Sequence, residues 1–123
     1  MEHKELTEKI IACAYRVYNK MGAGFLESVY KKCLVIELRR LGLMAEVQKA
    51  INVFYEKELV GEFIADMIVN DTVILELKSI RQRAKAHEVQ LVNYLVATGK
   101  SIGLLINFAE DKVEVKRKLR QLK

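Results

Sequence analysis

The chain has 123 residues with a formal net charge of +5, and 51% of its residues are hydrophobic and 30% charged. This composition is typical of a soluble globular protein and excludes a largely disordered chain. The length predicts one domain over residues 1–123. No apolar run approaches the roughly 18 residues that span a bilayer, and the charged first residues lack the apolar region of a signal peptide. We therefore expect a cytoplasmic protein without a membrane partner.

The two cysteines exclude two further classes of site. Cys13 and Cys33 lie far apart in apolar-periodic segments, with no CxxC pair and no nearby cluster of histidines. Two cysteines are too few for a disulfide framework, and a tetrahedral zinc site needs ligands that this chain does not group. We predict that both cysteines are buried, reduced thiols. The positive net charge permits a polyanionic partner without requiring one.

Helical periodicity dominates the first third of the chain. Apolar residues recur at helical spacing over residues 6–21, and Gly22 is a good C-terminal stop. A second helix is predicted from about residue 26 to 41, with an apolar inner stripe and Gly42 at its end.

The remainder of the chain alternates between strand and helix patterns. Three strands are predicted at 47–55, 59–69 and 72–78, followed by a helix over about 84–97 and a buried strand over 101–108. Residues 112–118 favour either a final edge strand or a short basic helix. The resulting order, ααβββαβ(β), predicts an α/β (α+β) fold in which helices flank a mixed β-sheet.

Two acids and a lysine stand within strands that are otherwise apolar: Asp66, Glu76 and Lys78. Charged side chains in buried strands are costly unless they are paired or bind a metal. Alternate residues of a strand share a face, so Glu76 and Lys78 point the same way. The acids would supply oxygen ligands to Mg²⁺ or Mn²⁺, and Lys78 would orient or deprotonate an attacking water. Spacing alone leaves open a surface Glu/Lys pair at a strand end, with Asp66 at an edge.

A site built from Asp66 and Glu76 makes a demand on the hairpin between them. A two-residue turn at 70–71 would place Asp66 opposite Leu75 and direct it to the wrong face. A three-residue loop at 70–72, or a bulge, would restore the match. The hypothesis therefore predicts that no simple two-residue turn occurs here.

Three polar residues on predicted helices are further candidates. Glu27 lies near the start of the second helix on its apolar side, although an acid in a first turn is also favoured by the helix dipole. Gln90 and Tyr94 are spaced i, i+4 on a largely apolar helix, and buried Gln and Tyr side chains need hydrogen-bond partners. The alternative for Tyr94 is a core tyrosine whose hydroxyl reaches the surface.

Taken together, these segments resemble a known family. Residues 24–30, GFLESVY, match the pattern of the small bacterial GxxExxY proteins. Asp66 followed by the sequence ELK at 76–78 resembles the PD-(D/E)XK nuclease signature, and QLVNY at 90–94 resembles the QxxxY motif of its exonuclease-like branch. Ala65 replaces the proline that often precedes the first acid. The motifs occur in the family's order and cover nearly the whole chain.

The resemblance implies a restriction-endonuclease-like core with a metal site on the central hairpin. Glu27, Asp66 and Glu76 would surround Mg²⁺ (or Mn²⁺), and Lys78 would serve the attacking water. Gln90, Tyr94 and Tyr30 would support the site or touch the substrate. Members of the superfamily hydrolyse phosphodiester bonds with Mg²⁺.

The sequence therefore leads to a metal-dependent nuclease whose expected substrate is DNA, with RNA as the alternative. A homodimer is expected if cutting duplex DNA requires two sites. The basic residues after the third strand would hold the nucleic-acid backbone: Arg81, Arg83 and Lys85. A non-catalytic nucleic-acid-binding or interaction module on the same fold, or a subunit of a larger assembly, is the alternative.

Overall fold

A computed structural model of the protein describes residues 3–81 and 85–120. Within these ranges the chain forms three α-helices and five β-strands in the order ααβββαββ. The helices are α1 (Lys4–Met21), α2 (Glu27–Arg40) and α3 (Lys85–Thr98), and the strands are β1 (Ala45–Tyr55), β2 (Glu58–Val69), β3 (Val73–Lys78), β4 (Ile102–Phe108) and β5 (Val113–Leu119).

The predicted element order is confirmed, and the open alternative for residues 112–118 is resolved as strand β5. Helix α1 ends before Gly22, whose φ of 75° lies in the left-handed region, and Gly42 with a φ of 77° follows the end of α2. Glycine adopts this conformation at little cost, so both residues stop their helices as expected. The predicted start of α3 at Ala84 lies outside the described residues.

The five strands form one mixed sheet in the order β1-β2-β3-β4-β5. Strands β3 and β4 are parallel, and the other neighbours are antiparallel. Helix α3 lies in the connection between the parallel strands, because a parallel pair needs a crossover. The mixed, helix-flanked sheet agrees with the predicted fold class.

Helices cover both faces of the sheet and produce two apolar layers. Helices α1 and α2 pack with side chains of β2, β3 and β4 in the larger layer, which includes Tyr30, Met67 and Leu75. Helix α3 packs on the opposite face in the smaller layer, which includes Ala65 and Tyr94. Strands β3 and β4 are therefore buried on both faces, which explains their nearly continuous apolar sequences.

Two sequence predictions concern the chain outside the site. In the described parts of the chain, no helix is both long enough and apolar enough to cross a membrane. Both cysteines are free thiols, as predicted. Cys13 is buried, whereas Cys33 is only half-buried because it lies at the margin of the larger apolar layer.

Candidate active site

The β2–β3 hairpin has the register that a site on Asp66 and Glu76 requires. Val69 pairs with Val73 and Met67 with Leu75, so a three-residue loop at 70–72 joins the strands. The same register carries Asp66 opposite Glu76. The two-residue turn that would have separated these acids does not occur.

Regular pairing between β2 and β3 ends at the acids, where carboxylates take over the backbone hydrogen bonds. The N–H of Leu77 donates to Oδ2 of Asp66 at 2.8 Å, and the N–H of Asp66 donates to Oε1 of Glu76 at 3.3 Å. We call this point, defined by Asp66, Glu76 and Leu77, the β2–β3 fork. Both carboxylates are therefore held in fixed positions where the two strands separate.

Strand β1 is also irregular beside the fork. The β1–β2 register includes Val47 with Met67 and Lys49 with Ala65, but no pair joins Gln48 to the intervening residue Asp66. Gln48 has a φ of 52°, a left-handed conformation that is uncommon for residues other than glycine. Beside this irregularity the regular alternation of side chains along β2 is interrupted. Met67 packs with α1 and α2, whereas Ala65, two residues earlier, packs with α3 on the opposite face of the sheet.

Glu76 is buried with an unfavourable charge environment. Its exposed fraction is 5%. The pKa of Glu76 is raised to about 8, first by burial and then by the charge of the Asp66 carboxylate, whereas the Asp66 N–H and Lys78 act in the lowering direction. Lys78 is half-buried and forms no ion pair within the parts of the chain that the structure describes.

Helix α2 brings a third acid and a cation to the fork. The ammonium of Lys31 lies 3.4 Å from Oδ1 of Asp66, and both side chains are 15% exposed. Glu27 is half-buried at the start of the helix. Burial raises the pKa of Glu27, Lys78 and Lys31 lower it, and Asp66 raises it. These mutual effects place Glu27 within electrostatic range of the fork.

Helix α3 contributes Tyr94, with Gln90 beside it. Tyr94 is 5% exposed, and its ring stacks on Phe63 with a centroid distance of 4.0 Å. The pKa of Tyr94 is raised by burial and then by the charges of Glu76 and Asp66, while a hydrogen bond with Gln90 lowers it. Gln90 itself is exposed. The tyrosine hydroxyl therefore lies in the electrostatic field of the acids.

Tyr30 supports the backbone that leads into Glu27. It is fully buried, and its hydroxyl donates to the carbonyl of Gly22 at 2.6 Å and accepts from the N–H of Phe25 at 3.3 Å. Its ring stacks on Phe108 at a centroid distance of 4.4 Å. Tyr30 therefore fixes the chain between α1 and α2 that leads to Glu27.

Two of the three basic residues predicted to hold the nucleic-acid backbone lie at the surface of the described chain. Arg81 is exposed, with its Nε 3.3 Å from Oε2 of Glu110. Lys85 is exposed at the start of α3. Arg83 lies outside the described residues.

The donor set at the fork suits a hard cation, although it is small. Within residues 3–81 and 85–120, no group of three or more His, Cys, Asp or Glu side chains is placed to hold a metal ion. Asp66 and Glu76 are joined through the hydrogen bond at the fork, and Glu27 interacts with them electrostatically. Mg²⁺ is commonly bound through one or two carboxylates and keeps several waters. The two fork carboxylates fit that pattern, and their mutual repulsion would be relieved by a cation.

Two residues near the site were missed by the sequence analysis. Lys31 stands four residues after Glu27, so helical spacing already places both on one face. Asn107 is the one polar residue in an otherwise apolar β4 and is fully buried. It accepts from the N–H of Ile80 at 3.0 Å and donates to the Ile80 carbonyl at 2.9 Å. These bonds hold the chain that leaves β3 just after Lys78.

A solved structure supports this description at the level of the fold. A structure described as the crystal structure of SSO0001 is 18% identical, covers 98% of this chain and superposes with a TM-score of 0.61. This chain spans 60% of that chain's length. An alkaline exonuclease, LHK-Exo from Laribacter hongkongensis, is 13% identical, with 94% of this chain and 82% of that chain covered and a TM-score of 0.44.

Sequence comparison identifies the family. No curated protein gives a significant match to the chain. The family model of the PD-(D/E)XK nuclease superfamily matches residues 4–118, which is nearly the whole chain. The match covers the described helices and strands of the restriction-endonuclease-like fold, apart from the last residue of β5. The protein therefore belongs to the PD-(D/E)XK nuclease superfamily.

Proposed function

We propose that the protein is a metal-dependent nuclease that hydrolyses phosphodiester bonds of DNA, with RNA as the alternative substrate. The observation that carries the proposal is the β2–β3 fork, where Asp66 and Glu76 are fixed by hydrogen bonds to each other's strands. Lys78 follows two residues after Glu76 on the same strand and acts on the pKa of Glu76. Superfamily membership supports the same chemistry, since PD-(D/E)XK nucleases generally use divalent metals.

Each charged residue has a separate role in this proposal. Asp66, Glu76 and Glu27 would hold Mg²⁺ or Mn²⁺, which when bound stabilises charge on the phosphoryl oxygens and lowers the pKa of a water. Lys78 would orient the attacking water and offset the negative charge that develops on the phosphate. The hydrogen bonds of the fork hold the two acids in place before substrate arrives, which favours preorganised stabilisation of the charge that develops in the reaction.

Residues around the fork would position the substrate. Gln90 is exposed and hydrogen-bonds with Tyr94. Gln90 would contact the nucleic acid, and Tyr94 would support the acids. The exposed Arg81 and Lys85, together with Arg83, would neutralise backbone phosphates. Such contacts make binding sensitive to salt and largely independent of base sequence.

Two finer parts of the proposal concern the branch of the superfamily and the oligomeric state. The GFLESVY segment at 24–30 supports membership of the GxxExxY branch. Cutting both strands of duplex DNA would require two sites, which a homodimer would supply.

One observation favours a second candidate, a non-catalytic nucleic-acid-binding module. Both carboxylate oxygens of Asp66 already have partners, Oδ1 with Lys31 at 3.4 Å and Oδ2 with the N–H of Leu77 at 2.8 Å. A cation at Asp66 would have to displace or share these partners. A binding module would leave them undisturbed.

Cleavage assays separate the two candidates. Labelled single- and double-stranded DNA and RNA are incubated with the protein in Mg²⁺, Mn²⁺ or EDTA, and products are resolved by size. The variants are Lys78→Ala and Glu76→Ala, with Lys116→Ala on the exposed side of β5 as a control that also removes a lysine.

We expect cutting that needs the metal, is lost in both fork variants and persists in Lys116→Ala. Circular dichroism and thermal unfolding establish that each variant is folded. Wild-type protein that binds nucleic acid but does not cut under any of these conditions would refute the nuclease and favour the binding module.

A further inference from the structure

A basic groove runs between α2 and β1 on the side of the fork where Lys31 lies. It has a volume of about 320 Å³, and its walls come from both elements. The lining residues are Ser28, Lys31, Lys32, Val35, Arg39, Val47 and Gln48. We call it the α2–β1 groove.

The charge of the α2–β1 groove is entirely positive. Three of its lining residues are basic and none is acidic. Lys32 is exposed and forms no ion pair with any residue that the structure describes. Arg39 donates one hydrogen bond to the carbonyl of Ala45 at 3.2 Å, which leaves its other donors available. The groove therefore offers cations that the fold itself does not neutralise.

The groove is continuous with the fork. Lys31 lines the groove and also lies 3.4 Å from Oδ1 of Asp66. Gln48 lines the groove at the irregular position of β1 that faces Asp66. The kink at Gln48 therefore shapes both the end of the groove and the surroundings of the first acid.

The dimensions and lining of the groove fit an extended phosphate backbone. Lys31 and Arg39 are separated by eight residues, or about 12 Å along the helix axis at the α-helical rise per residue. Lysine and arginine along this length would meet successive phosphates. Val35 and Val47 provide apolar walls for sugar carbons, and no aromatic ring lines the groove for base stacking. The surface thus suits contacts to the backbone rather than to the bases.

We infer that the α2–β1 groove carries the sugar-phosphate backbone of one nucleic-acid strand as it leaves the β2–β3 fork. This inference rests on the proposed function, because it takes nucleic acid as the substrate of the fork. Lys32 and Arg39 contact phosphates away from the reacting one. Lys31 stands between the groove and Asp66.

Binding measured without cleavage tests the groove independently of the chemistry. The probe is a fluorescein-labelled single-stranded oligodeoxynucleotide of about 20 nucleotides, longer than the site expected for one small domain. Its dissociation constant is measured by fluorescence anisotropy in EDTA over a series of salt concentrations. The groove variant is Lys32→Gln/Arg39→Gln. The matched control, Lys112→Gln/Lys116→Gln, removes two exposed lysines near or on β5, at the opposite edge of the sheet.

We expect the groove variant to bind about tenfold more weakly than wild type at moderate salt. The slope of the logarithm of the binding constant against the logarithm of the salt concentration should become shallower by about 1.4, because each lost phosphate contact to a single strand accounts for about 0.7. The control should bind like wild type. Because Arg39 also contacts Ala45, Lys32→Gln alone is measured too, and it should lower the slope by about 0.7. Equal binding by wild type and groove variants, equal weakening by the control, or no binding by wild type would overturn the inference.

Cleavage of the same oligonucleotide in Mn²⁺ separates this inference from the proposed function. If wild type does not cut but the groove variants lose binding, the nuclease fails and the groove stands. If wild type cuts and the groove variants bind and cut equally well, the nuclease stands and the groove fails.

Discussion

Two buried glutamates in this protein have opposite surroundings. Glu37 on α2 is 6% exposed and Glu76 at the fork is 5% exposed. Three cations lie around the Glu37 carboxylate, with Arg16 at 3.4 Å and Lys20 and Arg40 at 3.7 Å. The fold has therefore compensated the buried charge of Glu37 with side chains from α1 and α2.

Glu76 lacks that compensation. The largest charge effect on its pKa comes from another acid, Asp66, and it forms no ion pair in residues 3–81 or 85–120. Burying an acid beside another acid costs stability, which raises the pKa of Glu76 to about 8. Glu37 therefore serves the fold, whereas a proton or a bound cation would relieve the cost at Glu76 that Lys78 and the Asp66 N–H leave uncompensated. Perturbed acids of this kind are concentrated at functional sites.

The largest expected difference is in activity. Glu76→Gln removes a proposed metal ligand with little change in shape, so the cleavage rate should fall about 100- to 1,000-fold. Glu37→Gln should leave the rate close to wild type while lowering the free energy of unfolding by about 1 kcal/mol, because its cations are largely exposed. Initial cleavage rates and urea unfolding of both variants measure this. Cleavage by Glu76→Gln at the wild-type rate would contradict the proposed role of Glu76 as a metal ligand.

The pH dependence of stability should distinguish the same two residues. Because the pKa of Glu76 is higher in the folded protein than its ordinary value of 4.5, the folded state binds the extra proton. The free energy of unfolding without metal should therefore fall as pH rises from about 4.5 towards about 8, with a one-proton limit of about 1.36 kcal/mol per pH unit.

The measurement is the difference between wild type and variant at each pH, which removes the contribution of other groups. Glu76→Gln should be more stable than wild type at neutral pH, by about 2 kcal/mol, and this advantage should disappear in acid. Glu37→Gln should show no such gain. A Glu76→Gln curve parallel to wild type would contradict the assignment.

Metal binding should stabilise the fork. If Mg²⁺ or Mn²⁺ binds only the folded protein, a concentration tenfold above its dissociation constant raises the free energy of unfolding by about 1.4 kcal/mol. Differential scanning fluorimetry should show this rise for wild type and Glu37→Gln, and its loss in Asp66→Asn and Glu76→Gln. Calcium serves as a second hard cation for comparison. Equal stabilisation of all four proteins would place the cation elsewhere.

Most of the fold could be predicted because local periodicity agrees with the tertiary packing. The apolar stripe of α1, its stop at Gly22 and the continuous apolar run of β4 all match the observed elements. Residues 112–118 could not be assigned from sequence because alternate basic residues suit either a solvated edge strand or a surface helix. Pairing with β4 decides in favour of the strand.

The register that brings the two acids together was predictable from the sequence, but the balance of charges around them was not. The spacing of Asp66 and Glu76 imposed a three-residue loop, and the structure has that register. The kink at Gln48 and the Lys31 contact were not predictable, because each depends on how β1 and α2 approach β2. Strand alternation also hid the change of face between Ala65 and Met67.

The smallest expected effect concerns the acid that lies between the two extremes. Asp66 forms an ion pair with one cation, Lys31, and Glu37 forms ion pairs with three. Glu76 forms no ion pair within the described residues. Lys31→Ala should lower the free energy of unfolding in EDTA at neutral pH by about 1 kcal/mol or less, because the pair is partly buried. Lys32→Ala, at the next and exposed position, is the control and should change it little. Equal stability of these variants in urea unfolding would mean that the Leu77 N–H alone compensates the charge of Asp66. Lys31 would then contribute nothing measurable, and only Glu37 and Glu76 would differ in how their buried charges are compensated.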